Sequence, residues 1–264
     1  MDILEYNRAA WDRNVDRGNV WTIPVDEDAI AAAKQGEPVV WLTDKTPVPP
    51  GWFAEIPGND ILCLASAGGQ QAPLLAAAGY NVTSYDNSER MLAQDRLVAE
   101  REDLALRTVQ GDMADLSVFA DASFDLVFHA ISNIFAPSVL PVWREAYRVL
   151  RPGGVLMAGF VNPLEFIFDL ELLEKGEFVV KHTLPYSDTN SLSEDGLQHW
   201  LDEGVPLVFG HTLTDQIGGQ IDAGFVITGF YEDRRLSDER NDGEVFLSEY
   251  TPIYIATRAL KQAR

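Results

Sequence analysis

Basic residues are scarce in this chain: 20 lysines and arginines stand against 41 aspartates and glutamates in 264 residues, a formal net charge of −21. A surface of that sign repels a phosphate backbone instead of releasing its counterions, so naked nucleic acid is disfavoured as a partner. Cysteine is almost absent. The single Cys63 rules out a disulfide scaffold and a zinc site built from paired cysteines, so no metal is expected and the chain suits a reducing cytoplasm. No apolar run approaches the roughly 18 residues of a spanning helix, so no membrane role is expected. The start Met-Asp-Ile-Leu-Glu has no basic segment followed by an apolar one, which argues against a secretory signal and for a cytoplasmic protein. Repeats and low-complexity tracts are also missing. What is present is 46% hydrophobic residues, enough to bury a sizeable core in one large α/β domain with additions.

Composition shifts divide the chain into four stretches. Residues 1–59 hold four of the six tryptophans and an alanine-rich helix near Asp28 to Lys34, and they end in a Pro-Gly cluster from Pro47 to Gly51 that cannot continue a helix. This stretch reads as an N-terminal helical cap and linker. In residues 60–161 strand and helix alternate. Strand patterns lie at Ile61–Ala65, Asn81–Tyr85, Leu106–Val109, Phe124–His129 and Val155–Val161, with helices at Gln70–Ala78, Ser88–Glu100 and Ser138–Leu150. Such alternation makes a mostly parallel, doubly wound sheet with helices on both faces, and ligands bind at the carboxyl ends of its strands. Residues 162–210 lose the rhythm and read as an insertion. In residues 211–264 a helix over Leu213–Ala223 precedes strands at Phe225–Tyr231 and Glu249–Thr257. A charged turn over Glu232–Gly243 joins those strands, which favours an antiparallel pair. A local basic patch lies at Arg258 to Arg264.

Three loops follow successive strands and carry the chemistry. Ile61-Leu-Cys-Leu-Ala-Ser-Ala-Gly68-Gly69-Gln-Gln runs from a buried strand through small residues into a helix N-terminus, which lets a ligand approach the backbone and favours an anion. Asp86, 17 residues beyond Gly69, ends the next strand, where a carboxylate can accept both hydroxyls of a ribose or merely cap the helix at Ser88. Gly111-Asp112-Met113 follows the third strand, with an acid to accept from an exocyclic amine and a thioether to pack on a purine.

In order and spacing these segments resemble the class I S-adenosylmethionine-dependent methyltransferases over roughly Asp60 to Phe160. Cys63-Leu-Ala-Ser-Ala-Gly-Gly69 lies where that family carries its glycine-rich loop, Tyr85-Asp86-Asn-Ser88-Glu-Arg-Met91 where it carries its ribose-binding acid, and Gly111-Asp112-Met113 where it carries its adenine-binding turn. Arg148-Val-Leu-Arg-Pro-Gly-Gly154 is similar to the turn before its fifth strand. The resemblance implies a Rossmann-like, doubly wound sheet of seven strands with an antiparallel last strand, the N-terminal cap and the insertion after the fifth strand. It implies S-adenosyl-L-methionine as methyl donor, S-adenosyl-L-homocysteine as product and a small-molecule acceptor whose pocket the insertion shapes. The cofactor contacts it implies are Ala65, Ser66, Gly68, Gly69, Gln71, Asp86, Asn87, Met91, Asp112, Met113 and His129, with Tyr6 and Trp11 from a closing N-terminal helix.

Departures accompany it. Cys63 replaces the family's first acid, and Ala65 and Ala67 replace two customary glycines, which a methyl group permits only where φ stays negative. Gln71 reads equally as a polar substitute and as a solvated helix residue. His129 is the one candidate base, with a backbone-bonded structural histidine as the alternative. His182, His199 and His211 sit in or beside the insertion. Trp21, Trp41, Trp52 and Trp143 are expected in the core, whereas Tyr6 and Trp11 are open between core and cofactor. Two other readings stay in view: a nicotinamide-dependent oxidoreductase, which the missing G-x-G-x-x-G spacing opposes, and a cofactor-binding sensor without transferase activity, which the two alanines support.

Overall fold

The computed structural model describes residues 1–173, 175–234 and 247–263. Its centre is a seven-stranded sheet built from β1 (Asp60–Leu64), β2 (Asn81–Asp86), β3 (Leu106–Gln110), β4 (Phe124–His129), β5 (Leu150–Val161), β8 (Val226–Asp233) and β9 (Tyr254–Leu260). The order across the sheet is β3-β2-β1-β4-β5-β9-β8, and β9 runs antiparallel to both neighbours. The doubly wound, mostly parallel seven-stranded sheet with an antiparallel last strand is therefore present. Order reverses between β1 and β4, so the crevice for a ligand opens where those two strands end.

Period-two alternation in strands buried on both sides divides the core. Ile61, Cys63, Leu126, Phe128 and Met157 face one layer, which contains α2 (Glu27–Lys34) and α3 (Gln71–Ala77). Leu62, Leu64, Val127, Leu156 and Ala158 face the other, filled by Val142, Trp143 and Ala146 of α5 (Leu140–Val149). Cys63, in the place of a customary acid, is thus a core residue, and burial pushes its thiol well above the ordinary range.

Helix boundaries follow local chemistry. The side chains of Asp2, Asp26 and Ser88 cap α1 (Ile3–Asp16), α2 and α4 (Glu89–Glu102), each accepting from an amide in the first turn. β5 begins at Leu150, earlier than the expected Val155, because Leu150 pairs with Phe124 ahead of a register shift in β4, and there Arg151 lies 2.8 Å from Asp60 and 2.7 Å from Asp125. β9 begins later than expected, at Tyr254, since 247–249 form a 3-10 turn. The helix expected over 213–223 opens as a π turn at Thr214–Gly218 before α9 (Gly219–Ala223). There Gly219 lies so close to α5 that a Cβ would come within 2.8 Å of Leu140 and Trp143. Most of the charged turn over Glu232–Gly243, and Arg264 of the basic patch, lie outside the described residues.

The stretch 162–210 has more order than its composition suggests. It holds α6 (Leu170–Leu173), α7 (Asp188–Ser191), α8 (Glu194–Glu203) and a two-stranded pair of β6 (Tyr186–Ser187) and β7 (Phe209–Gly210). Ser193 caps α8 and left-handed Gly204 ends it, a start and stop signal that the sequence carries plainly. Among the described residues no helix is long and apolar enough to cross a membrane.

Candidate active site

One cavity of about 1110 Å³ opens over the carboxyl ends of β1, β2 and β4, roofed by α1, the turn Val20–Thr22 and residues 41–44, and walled by Phe135 and the start of the 162–210 stretch. Pockets for a single ligand run to about 300–1,000 Å³, so this one has room for a cofactor and a second small molecule. Ala65, Ser66, Gln71, Asp86, Asn87, Met91, Asp112, Met113 and Trp11 all line it. The side chains at 86 and 112 thus share one hollow.

The floor is the loop after β1. Ala65 takes a left-handed conformation, φ +45°, and donates its N–H to Tyr85 O at 2.7 Å. The expectation that an alanine here keeps φ negative is corrected: the chain must turn sharply between β1 and α3, and the turn outweighs a strain of about 1 kcal/mol. Ala65→Gly should therefore leave stability unchanged or raise it by up to about 1 kcal/mol, read from urea unfolding midpoints; a loss of that size would show the turn unstrained. Ser66 Oγ is buried in this floor, bonded to the Cys63 thiol, and has no oxygen or nitrogen partner among the described residues. Gly68 and Gly69, expected as cofactor contacts, do not line the cavity. They take φ +120° and +78° behind the floor, with Trp21 O against one and Pro24 against the other, so their part is to shape the turn. Gly69 N–H donates to Asp95 at 2.7 Å, and Asp95 also accepts from Ser84 Oγ at 2.5 Å.

Asp95 is the support that sequence reading missed. It lies on α4 within the apolar stripe Met91, Leu92, Val98, Ala99, and an acid in such a stripe was the available signal. It is fully buried, and burial raises its carboxyl to about 7.

Asp86 both faces the cavity and accepts from Ser88 N at 2.9 Å, while the N-cap of α4 is Ser88 itself, whose hydroxyl accepts from Met91 N and donates to Asp12 of α1 at 2.6 Å. Burial lifts Asp86 to about 6 against the pull of its amide bonds. Asp112 accepts from Ala114 N at 3.0 Å. Gln71 is not a solvated helix residue: it is buried, and its Oε1 accepts from Trp41 N at 2.9 Å, fixing the loop that carries Trp41 to Asp44.

Three other expectations are corrected. His129 does not reach the cavity. Its ring is fully buried, with Nδ1 2.8 Å from Leu64 O and an edge-on contact to Trp143, and burial lowers its pKa to about 4, so it is the backbone-bonded structural residue and no base for a ligand. Tyr6 lies on the far side of α1, its hydroxyl donating to Val205 O at 3.0 Å, while Trp11 faces the cavity edge-on to Phe135 at 5.1 Å. Trp143 and Trp52 pack as expected, and Trp41 is half-buried at the cavity, but Trp21 is 51% exposed at the cavity mouth because its short turn lies over the glycines and not beneath the sheet. His182 and His211 lie outside the lining as well.

The roof is tied down by Asn7, a buried α1 residue that lines the cavity. Its Nδ2 donates to Phe135 O at 3.1 Å and Leu207 O at 3.0 Å, and its Oδ1 accepts from Leu207 N at 2.8 Å.

Comparisons with known proteins agree with this geometry. Residues 62–158 match a methyltransferase domain family. Over 259 residues, 98% of each chain, the sequence is 49% identical to the uncharacterized methyltransferase YbaJ of Bacillus subtilis (strain 168). In fold, the chain is similar to an S-adenosylmethionine-dependent methyltransferase from Mesorhizobium loti, with a TM-score of 0.61 and 19% identity over 80% of this chain and 94% of that one. It is also similar to the 1,6-didemethyltoxoflavin-N1-methyltransferase of Burkholderia thailandensis, solved with 1,6-didemethyltoxoflavin and S-adenosylhomocysteine bound, with a TM-score of 0.58 and 14% identity over 98% and 88%.

Proposed function

Because the chain belongs to the class I S-adenosylmethionine-dependent methyltransferases, we propose that it transfers the methyl group of S-adenosylmethionine to a small-molecule acceptor held in the same cavity. The observation that carries this reading is the convergence of Ser66, Asp86 and Asp112 on one hollow from three successive strand ends. The donor set suits adenosylmethionine: carboxylates at 86 and 112 would accept from ribose hydroxyls and an exocyclic amine, Met91 and Met113 would cover a purine, and Ser66 Oγ, paired only with a thiol among the described residues, and the amide nitrogen of Gln71 would offer polar contacts to the amino-acid portion. When bound, the sulfonium supplies an already activated methyl carbon.

The chain's own work is then to hold the acceptor about 3–3.5 Å from that carbon and to exclude water, which can supply several kcal/mol of the barrier without a nucleophilic side chain. Trp11, Phe135, Phe166 and Val208 close the cavity over the acceptor end, and a volume of this size favours a small molecule over a macromolecular substrate. Thermal unfolding with S-adenosylhomocysteine tests the reading: at about 100 times its dissociation constant it should stabilise the protein by about 2.7 kcal/mol, whereas NADH should leave the transition in place. The reverse pattern would assign the sheet to an oxidoreductase, and stabilisation without methyl transfer to any acceptor would favour a sensor.

A further inference from the structure

The cavity is lined by five acidic side chains, Asp2, Asp44, Asp86, Asp112 and Glu165, and among the described residues no lysine, arginine or histidine side chain joins them. Three of the five already have a place in the fold or beside the cofactor. Asp2 caps α1, and Asp86 and Asp112 are held by backbone amides at the ends of β2 and β3, where the cofactor belongs. Asp44 sits in the loop that Gln71 fixes through Trp41, and its own carboxyl, like that of Glu165, makes no hydrogen bond or ion pair among the described residues. Glu165 is set apart by its place. It follows β5, and the sheet order places β5 two strands from β1, about 10 Å across at the usual spacing, on the side away from β2 and β3.

Nothing in the fold needs the Glu165 carboxyl. The short helix Pro163–Ile167 is capped by Asn162, whose Oδ1 accepts from Leu164 N at 3.1 Å and whose carbonyl accepts from Glu165 N at 3.0 Å. The carboxyl itself has no hydrogen-bond or salt-bridge partner among the described residues. Burial alone lifts it to about 7. A carboxyl turned into a cavity without a partner carries a desolvation cost that a cationic ligand removes. The same cavity carries the apolar and aromatic side chains of Leu4, Phe135, Phe166, Leu170 and Tyr254, which suit a hydrocarbon body, and aromatic faces favour an ammonium by cation–π attraction. Among the described residues the lining side chains offer no positive charge to an acceptor's carboxylate or phosphate, and five of them carry acids.

Resting on the methyltransferase reading, we propose that the acceptor is a small apolar amine, an ammonium in solution, and that Glu165 binds its nitrogen and takes its proton. The balance is simple. The ammonium passes one proton to the Glu165 carboxylate; the freed nitrogen lone pair forms the N–CH3 bond as the S–CH3 bond breaks, and that electron pair stays on sulfur. The sulfonium becomes a neutral thioether, the methylated nitrogen carries the positive charge, and the Glu165 proton returns to water.

The test uses protein saturated with S-adenosylhomocysteine and three probes of one shape, 2-phenylethylamine, 2-phenylethanol and 3-phenylpropionate, titrated by calorimetry. The amine should bind at least about tenfold more tightly than the other two. Glu165→Gln, which keeps the shape, should remove that preference while holding S-adenosylhomocysteine affinity within about twofold, and Asp44→Asn should leave the preference intact. With S-adenosylmethionine and a panel of arylalkylamines, N-methyl products seen by mass spectrometry should fall about a hundredfold in Glu165→Gln. Equal binding of the alcohol or acid, a preference that survives in Glu165→Gln or vanishes in Asp44→Asn, or absence of N-methyl product from the wild type would each overturn the proposal. Failure of S-adenosylhomocysteine to bind at all would instead defeat the methyltransferase reading beneath it.

Discussion

Asp86→Ala should bind S-adenosylhomocysteine at least about tenfold more weakly than the unmodified protein, a loss of about 1.4 kcal/mol or more. A hydrogen bond to an ionised group contributes about 1.5–3 kcal/mol, and a ribose offers two hydroxyls to one carboxylate, so even one such bond lost exceeds the threshold. Because Asp86 also holds Ser88 N at 2.9 Å, Asp86→Asn is the companion variant: it keeps an acceptor for that amide and removes the charge. Calorimetric titration of both variants decides the matter, and a change under about twofold in each would mean that the carboxyl does not touch the ligand. The pH dependence follows from burial. Asp86 is lifted to about 6, so affinity should weaken as pH falls through that value and the carboxylate takes up a proton.

The second large effect concerns Asp95, which touches nothing in the cavity. Asp95→Ala should cost about 3 kcal/mol in urea unfolding, because Gly69 N–H and Ser84 Oγ lose their acceptor in a fully buried place, at about 1–3 kcal/mol for each unpaired group. The floor of the cavity should loosen with it and S-adenosylhomocysteine affinity should fall. Loss of affinity without loss of stability would refute the supporting role. Asp95→Asn separates charge from shape. The folded-state value of about 7 lies above the roughly 3.9 of an unfolded aspartate, so the native state holds more protons between those values. The carboxyl's contribution to stability is therefore fully present below about pH 4 and is lost as pH rises through about 7. Unfolding at pH 5 and at pH 7.5 should show the unmodified protein gaining on Asp95→Asn at the lower pH.

Much of this was legible in the chain. The strands at Ile61 and Phe124 are apolar runs bounded by turn residues, and the loops after β1, β2 and β3 could be placed on one sheet edge because alternating strands and helices admit few arrangements. Asp86, Asp112 and Met113 meet in one hollow for that reason. What escaped the sequence depends on distant partners. Nothing near Glu165 in the chain says that its carboxyl turns inward, and Asp95 is tied to Gly69, 26 residues earlier, by a bond that no periodicity records. The left-handed φ of Ala65 is set by the angle between β1 and α3, against the residue's own preference. His129 reads from its position at a strand end as either a base or a structural residue, and the alternation of β4 decides for the second by turning it toward Trp143 and away from the cavity.

Asn7 reaches partners 128 and 200 positions further along the chain. Since synthesis runs from the N-terminus, residues 60–161 emerge complete while this asparagine still lacks Leu207. The strand ends that floor the cavity can meet during translation, whereas the wall that Asn7 ties down must wait for the second half of the polypeptide to leave the ribosome.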